Sequence, residues 1–331
     1  TGMSVMEISH RSSYCIDLFD EVQKRLKRLL NLNGAYEVLF MQGGALMQFA
    51  AVPMNLMTKQ KKAAFVHTGN WTKGAMKEAC KIGEVSVRLS GEDSGFKRVP
   101  EMHSLQLAGD EDYCYICTNN TIEGTRIAPD RLPKTGNIPL VADMSSNILS
   151  EEYDMRKFGL VFSGAQKNMG IAGVCVVIIR QDLLQRSPDS IPDMLNYRIQ
   201  HEKESMLNTP PVFAVYVLNL VLKWIEANGG VEDIARINKL KAKMLYDYID
   251  NSAAFSNNIS DHDRSLMNVI FTLPTEEENK EFVAYAQKKG LMFLKGHRSV
   301  GGLRASIYNA APLTQVEALL RVMQQYERER Q

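Results

Sequence analysis

The sequence has few cysteines, almost no net charge and no long apolar run, and each shortage argues against a class of protein. Its five cysteines, irregularly spaced among 331 residues, argue against a disulfide framework and favour a reducing, cytoplasmic compartment. The net charge of +1 gives no reason to expect nucleic acid or an anionic membrane as a partner. The longest apolar stretch, 212–225, is interrupted by Asn219 and Lys223, so it is predicted to be a buried helix rather than a membrane span.

The sequence also offers no clear metal site. Cys114 and Cys117 form a C-x-x-C pair, but they lie in Asp-Tyr-Cys-Tyr-Ile-Cys, a pattern typical of a strand. A second such pair, which a zinc site would need, is missing. We interpret both thiols as core residues, with redox chemistry or metal binding as the alternatives.

Short apolar runs alternate with helical patterns over the first two thirds of the chain. Residues 14–30 have apolar side chains at helical spacing. The predicted strands are 37–41, 64–67, 85–89, 113–117, 139–142, 160–162 and 174–179. Several are apolar at consecutive positions, as strands covered on both faces should be. The alternation predicts an α/β fold with a mostly parallel sheet flanked by helices.

The pattern changes after Asn228-Gly229-Gly230, which is a typical helix stop. The helix before it is predicted to start at Thr209-Pro210-Pro211, a cap residue followed by proline in the first turn. Beyond it we predict helices at 231–250, at 276–289 and from 314, with strands at 268–273, 291–294 and 303–308. The chain is therefore expected to form a large domain, 1–230, and a smaller C-terminal α+β domain, 231–331.

Asp143 and Lys167 are the most informative residues, because each follows a predicted strand of the sheet. A lysine at a strand exit can form a Schiff base with an aldehyde, and a neighbouring aspartate can pair with the ring nitrogen of the same cofactor. Together they indicate pyridoxal 5′-phosphate (PLP) chemistry. A helix cap at Asp143 and a surface lysine at 167 are the ordinary alternatives.

Other strand exits carry compatible residues. Gly43-Gly44 precedes a helical run, where free N–H groups can bind a phosphate. Trp71, one of two tryptophans, follows the next strand and could stack on a flat ring. Polar residues 118–124 follow strand 113–117. Each has an ordinary explanation as a turn or core residue, but their common position at strand exits favours a cofactor site.

Two basic clusters could bind anions: His10-Arg11 near the start, and His297-Arg298 with Arg304 near the end. The planar guanidinium of arginine can donate two parallel hydrogen bonds to a carboxylate or a phosphate. The clusters therefore predict a substrate with more than one anionic group. Solvated surface charge is the alternative, mainly for His10-Arg11.

At this level of detail the sequence resembles the phosphoserine aminotransferases. The resemblance runs from the first residues to beyond 310 and is carried by Ile-Ser-His-Arg-Ser at 8–12, Val-Ala-Asp-Met-Ser-Ser-Asn at 141–147, Gly-Ala-Gln-Lys-Asn at 164–168, Asn-Thr-Pro-Pro at 208–211 and Gly-His-Arg-Ser-Val-Gly-Gly-Leu-Arg-Ala-Ser at 296–306.

The resemblance implies the type I aminotransferase fold, a homodimer with shared active sites, and PLP as cofactor. The implied reaction converts 3-phosphohydroxypyruvate and L-glutamate to O-phospho-L-serine and 2-oxoglutarate in serine biosynthesis. A further implied activity is the phosphorylated hydroxythreonine step of pyridoxine biosynthesis.

The resemblance also implies residue roles. Lys167 would be the Schiff-base lysine and Asp143 the partner of the ring nitrogen. The other cofactor contacts would be Ala45, Leu46, Trp71, Thr121 and Gln166, with Asn208 and Thr209 reaching the cofactor of the other subunit. The substrate would be held by His10, Arg11, His297, Arg298 and Arg304.

This sequence departs from the family pattern at two places. It does not contain the usual initial segment with Phe-Ser-Ala-Gly-Pro-Ala, and we expect the cofactor site to be complete without it. Leu46 occupies a variable family position and offers no side-chain hydrogen bond, so only backbone contacts to phosphate are expected there.

Rival functions remain open at this point. Another transamination on the same fold, such as serine–glyoxylate transamination, would not need Arg11 and His297-Arg298 together. A cysteine desulfurase would need a cysteine in a mobile loop, which none of the five occupies. A truncated scaffold that only binds the cofactor is the non-enzyme alternative.

Overall fold

The computed structural model describes residues 2–330, so the outermost residues of both predicted domains lie outside the described residues. The helices are α1 (Ser13–Leu29), α2 (Gly44–Leu56), α3 (Asn70–Ala79), α4 (Gln181–Leu184), α5 (Tyr197–Glu202), α6 (Val212–Ala227), α7 (Gly230–Asn251), α8 (Glu276–Lys288) and α9 (Leu313–Arg328). The strands are β1 (Tyr36–Met41), β2 (Lys62–His67), β3 (Glu84–Ser90), β4 (Tyr113–Cys117), β5 (Asn119–Asn120), β6 (Thr125–Arg126), β7 (Leu140–Asp143), β8 (Leu160–Gly164), β9 (Cys175–Arg180), β10 (Asn268–Phe271) and β11 (Leu303–Ser306).

Seven of the described strands form one sheet in the order β1-β9-β8-β7-β4-β2-β3. The neighbours from β8 to β3 are parallel, which confirms the prediction of a mostly parallel sheet. Strand β9 runs antiparallel to both β8 and β1. The short connection after β8 explains this reversal, because a parallel return would need a crossover of a dozen or more residues.

Both faces of the sheet are covered, as the consecutive apolar positions predict. One face packs on α1 and α6, with Val22 and Leu218 fully buried there. The other face packs on α2, where Phe49 contacts Phe162 of β8 edge to face at 6.1 Å between ring centroids. Burial on both faces leaves the strand ends as the places where polar side chains can meet solvent or a ligand.

A smaller α+β unit follows, built on the antiparallel pair β10–β11. Its core contains a cluster of aromatic rings in which Phe255 and Phe282 each contact Phe271 and Tyr326. Helix α7 contributes Val231 and Ile234 to the core of the large sheet, and its later residues to the smaller core. The domain boundary near residue 230 stays a prediction.

Two local predictions were wrong. The described residues 291–294 form no strand, and only Lys295 makes an isolated bridge to Leu303. Helix α6 is not capped by Thr209: its N-cap is Pro211, without a side-chain cap bond. Within residues 2–330 no single helix is long and apolar enough to cross a membrane; α6 and α7, bent by 82°, meet that criterion only as a pair.

Phe293 explains why the strand at 291–294 fails, and it provides a stability prediction. Its φ of 64° lies in the left-handed region, and its side chain is 92% exposed. Because this backbone costs about 1–2 kcal/mol for most residues and less for asparagine, Phe293→Asn should raise the free energy of unfolding by about 0.5–1 kcal/mol. Denaturant titration measures this change in the free energy of unfolding. Met292→Asn, at an exposed neighbour without positive φ, is the control, and an equal gain there would contradict the explanation.

Candidate active site

The carboxyl ends of the parallel strands open into a cavity of about 240 Å³. Its walls come from the turn after β1, the start of α3 and the ends of β4, β7 and β8. The lining residues are Gly43, Gly44, Ala45, Leu46, Phe49, Trp71, Cys117, Asn119, Asp143, Ser145, Ser146, Gln166 and Lys167. Six residues selected from the sequence therefore share one cavity, namely Ala45, Leu46, Trp71, Asp143, Gln166 and Lys167.

Asp143 is the last residue of β7 and is 5% exposed. Its Oδ1 accepts a hydrogen bond from the backbone N–H of Ser145 at 2.8 Å, which fixes the carboxyl group in the turn. Burial raises the pKa of this carboxyl, whereas the hydrogen bonds from Ser145 and the charge of Lys167 act in the opposite direction. A cationic partner in the cavity would therefore favour the ionised carboxylate.

Lys167 lies in the turn between β8 and β9. The turn is closed by Ala165, whose N–H donates to the Val174 carbonyl at 3.0 Å. Burial lowers the pKa of the Lys167 amine, although Asp143 and Cys117 oppose the shift. More of this amine is therefore neutral near pH 7 than for an ordinary lysine, as a nucleophile or general base requires.

Trp71 forms the opposite wall of the cavity. Lys167 Nζ lies 5.9 Å from the centroid of the Trp71 ring. The indole Nε1–H donates to Thr121 Oγ1 at 2.6 Å, which holds the ring plane. Arg304, from β11 of the smaller unit, donates from Nη1 to the Thr121 carbonyl at 3.1 Å. Thr121 thus joins the predicted stacking ring to the predicted carboxylate-binding arginine.

The turn into α2 offers backbone donors to the same cavity. Gly43 and Gly44 have φ of 80° and 63°, and a Cβ at Gly43 would lie 2.7 Å from Met47 Cβ. The turn therefore needs glycine at this position. Ala45 and Leu46 belong to the first turn of α2, where backbone N–H groups lack partners within the helix.

The remaining predicted residues lie around the cavity rather than in its lining. Gln42 Nε2 donates a hydrogen bond to Asn208 Oδ1 at 3.0 Å and a second one to the Thr209 carbonyl at 3.2 Å. Thr209 and His10 line a separate groove, and Arg11 follows His10 beside it. The single chain does not bring this group into the cavity.

His297 and Arg298 lie in the loop between α8 and β11, in the smaller unit. Ser299 of the same loop accepts a hydrogen bond from Asn70 Nδ2 at 3.3 Å, so the loop approaches the start of α3. Neither His297 nor Arg298 lines the cavity, but both lie in the loop that leads into β11, the strand that carries Arg304.

Five further residues line the cavity although none was predicted to contact the cofactor: Phe49, Cys117, Asn119, Ser145 and Ser146. For all but Phe49, which lies within α2, a position at or beside a strand exit was the available signal. Asn119 Nδ2 donates to Ser146 Oγ at 2.8 Å and to Asn268 Oδ1 at 3.0 Å, which ties the floor of the cavity to β10. Contacts between residues so distant in sequence are visible only in the folded chain.

Comparison with known proteins identifies the family. The aminotransferase class-V family matches residues 1–319. A phosphoserine aminotransferase of Bacillus cereus is 50% identical, over 99% of this chain and 91% of the relative. The chain belongs to the phosphoserine aminotransferase family.

Solved structures of phosphoserine aminotransferases share the whole fold. The enzyme of Bacillus circulans subsp. alkalophilus superposes with a TM-score of 0.97 at 46% identity, covering 100% of this chain and 91% of that one. A PLP-bound phosphoserine aminotransferase from Trichomonas vaginalis gives a TM-score of 0.92 at 38% identity, covering 98% and 92%. These matches confirm the predicted type I aminotransferase architecture.

Proposed function

We propose that the chain transfers the amino group of L-glutamate to 3-phosphohydroxypyruvate, with PLP as cofactor, giving O-phospho-L-serine and 2-oxoglutarate. The reaction is a step of serine biosynthesis. The observation that carries the proposal is the buried Asp143 and the partly buried Lys167 at adjacent strand ends of one cavity, in a chain of the phosphoserine aminotransferase family. Activity on phosphorylated hydroxythreonine stays a prediction.

The donor set of the cavity fits PLP. A partly buried amine, a buried carboxylate and an indole on one wall match an aldehyde, a ring nitrogen and a flat ring. The free N–H groups at the start of α2 match a phosphate. We propose that Lys167 and Asp143 hold the cofactor with Trp71, Thr121 and Gln166, and that Ala45 and Leu46 contact its phosphate through the backbone.

PLP, when bound, supplies an electron sink for the bond that breaks at the substrate α-carbon. Lys167 Nζ takes the proton from that α-carbon as a general base and later returns a proton as a general acid. Asp143 holds a positive charge on the group it faces, because a buried carboxylate needs an ionised or hydrogen-bonded partner. Both roles are favoured by the burial of Asp143 and the partial burial of Lys167.

The substrate pocket follows from the basic residues around the cavity. We propose that Arg304 binds the α-carboxylate, since Thr121 already holds its guanidinium beside Trp71. His297 and Arg298 would bind the distal anion, which is a phosphate in one substrate and a carboxylate in the other. His10 and Arg11 would complete this pocket from a second chain.

We infer a homodimer with shared sites. Tyr14, Phe213, Leu220 and Trp224 are each at least 38% exposed on α1 and α6, an apolar surface that a second copy could cover. Asn208, Thr209 and His10 lie beside this surface but outside the cavity of their own chain. A second copy would let them reach the partner's cofactor and substrate. A cytoplasmic location stays a prediction.

The test of the proposed function is glutamate formation from O-phosphoserine and 2-oxoglutarate, with unphosphorylated serine as the comparison donor. A charge-paired hydrogen bond contributes about 1.5–3 kcal/mol, so O-phosphoserine should be preferred at least about tenfold in kcat/KM. Equal rates with both donors would contradict a pocket built for a phosphate.

Arg298→Ala should raise the KM for O-phosphoserine by roughly tenfold or more, because the phosphate of the bound substrate loses the hydrogen bonds from the Arg298 guanidinium. The absorbance of bound cofactor should persist, since Arg298 does not line the cavity. Steady-state kinetics and an absorbance spectrum of the same sample measure both. Loss of the cofactor band in this variant would contradict the assignment.

A further inference from the structure

The loop that carries His297 is connected to the large sheet by a chain of three polar groups. Asn70 Nδ2 donates to Ser299 Oγ at 3.3 Å. Ser299 Oγ lies 2.7 Å from His297 Nδ1, and the Ser299 backbone N–H donates to the same nitrogen at 3.3 Å. The chain leads from the first residue of α3 to the imidazole.

These contacts are consistent with only one assignment of hydrogen-bond donors and acceptors. A backbone N–H can only donate, so His297 Nδ1 accepts and carries no proton. The Ser299 hydroxyl must then also donate to Nδ1, and its oxygen is left to accept from the Asn70 amide. The ring proton of neutral His297 therefore lies on Nε2, because the partner of one ring nitrogen decides where the proton sits.

Asn70 is itself held in place by the large unit. Its backbone N–H donates to Glu123 Oε1 at 2.8 Å, and Glu123 is 8% exposed. Gly69 packs against the same carboxyl group, where a Cβ would lie 2.5 Å from Glu123 Cδ. Because Asn70 precedes Trp71, the wall of the cavity and the imidazole share one anchor.

We propose that Asn70 and Ser299 are positioning residues that hold His297 as an Nε2–H donor for the distal anionic group of the substrate. The inference rests on the proposed function, which places His297 at that group. The opposite tautomer would turn a lone pair of Nε2 toward an anionic oxygen, and that contact is repulsive. Because the tautomer is fixed before the substrate binds, the Nε2–H of His297 is a preorganised donor for either a phosphate or a carboxylate.

Asn70→Asp is the decisive variant, because it keeps the shape and reverses the hydrogen-bond direction. A carboxylate accepts the Ser299 hydroxyl proton, so Ser299 Oγ turns a lone pair toward His297 Nδ1 and favours a proton there. Ser299→Ala removes the hydroxyl, and Ser299→Thr keeps it as the matched control.

The first measurement is NMR of the holoenzyme with ¹⁵N-labelled histidine, since ring nitrogen shifts distinguish the tautomers. The sequence has six histidines, and loss of a signal in His297→Gln assigns the one of interest. Wild type and Ser299→Thr should show the Nε2–H form. Asn70→Asp should show the Nδ1–H form, because the hydroxyl contact at 2.7 Å outweighs the backbone contact at 3.3 Å. Ser299→Ala, which keeps only the backbone donor, should show a mixture.

The second measurement is steady-state kinetics with O-phosphoserine. Ser299→Ala should raise KM about three- to tenfold, as expected for one neutral hydrogen bond, with a smaller change in kcat. Ser299→Thr should restore the wild-type KM.

The proposal is overturned if Asn70→Asp and Ser299→Ala both keep the Nε2–H form, or if Ser299→Ala leaves KM unchanged while His297→Gln raises it. The proposed anion pocket fails separately, if His297→Gln itself leaves the KM for O-phosphoserine unchanged. The NMR result then still reports whether the chain of hydrogen bonds fixes the tautomer.

Discussion

Lys167→Arg is expected to lower kcat for transamination by about 10³-fold or more, since a positioned acid–base group contributes 10²–10⁴-fold. Arginine keeps the length and charge of the side chain, but its guanidinium stays protonated and cannot take a proton from the α-carbon. Glutamate formation from O-phosphoserine and 2-oxoglutarate measures the loss. The folded structure should persist, because the turn is closed by the backbone of Ala165 and Val174.

The chain provides a control in Lys241, a buried lysine outside the cavity. Burial lowers the pKa of Lys241 to about 8, yet its ammonium group donates to the carbonyls of Ile307, Tyr308 and Ala311, outside the cavity. Borohydride reduction with PLP, followed by peptide mapping, should label Lys167 and leave Lys241 unlabelled. Labelling at Lys241, or nearly full activity of Lys167→Arg, would overturn the assignment of the reactive lysine.

Asp143→Asn should produce the second largest loss, about 10²–10³-fold in kcat, which is the usual effect of removing one electrostatic group from an active site. The amide oxygen can still accept from the Ser145 N–H, so the turn after β7 should stay intact. Removing a buried charge should leave the melting temperature unchanged or raise it. Kinetics and thermal unfolding of the same preparation measure the two effects.

Glu151→Gln is the reciprocal control. Glu151 is also buried, burial raises the pKa of its carboxyl, and it pairs with Arg126 away from the cavity. Breaking this pair should lower stability and leave kcat near the wild-type value. If Asp143→Asn loses stability in proportion to activity, Asp143 acts mainly as a structural residue and the proposed role is contradicted.

The sequence predicted the parts of the fold that local patterns determine. Strand β4 has the bounds expected from its apolar run. Asp143 is the last residue of β7 rather than the first residue after it, and Lys167 follows the adjacent strand β8. The antiparallel direction of β9 was not predicted, although the short spacing between the predicted strands at 160–162 and 174–179 already favours it. The strand expected at 291–294 fails because Phe293 adopts a left-handed backbone that apolar periodicity does not reveal.

The candidate site was predictable where residues follow strand exits, and not where distant segments meet. Trp71 could be selected from its own neighbourhood, whereas Gln166 was selected only through the family resemblance. The hydrogen bonds from Arg304 to Thr121 and from Asn70 to Ser299 join segments far apart in sequence, so no local pattern indicates them. The proton position on His297 follows only from such contacts.

The place of β1 at the end of the sheet has a consequence for how a newly made chain folds. Residues 36–41 pair with residues 175–180, so β1 leaves the ribosome long before its partner exists. At 5–20 residues per second the wait is roughly 7–30 s. During that time the apolar run Val-Leu-Phe-Met is an unpaired edge prone to aggregation, covered on its two faces by α1 and α2. We expect early chains truncated before β9 to depend on chaperones for solubility.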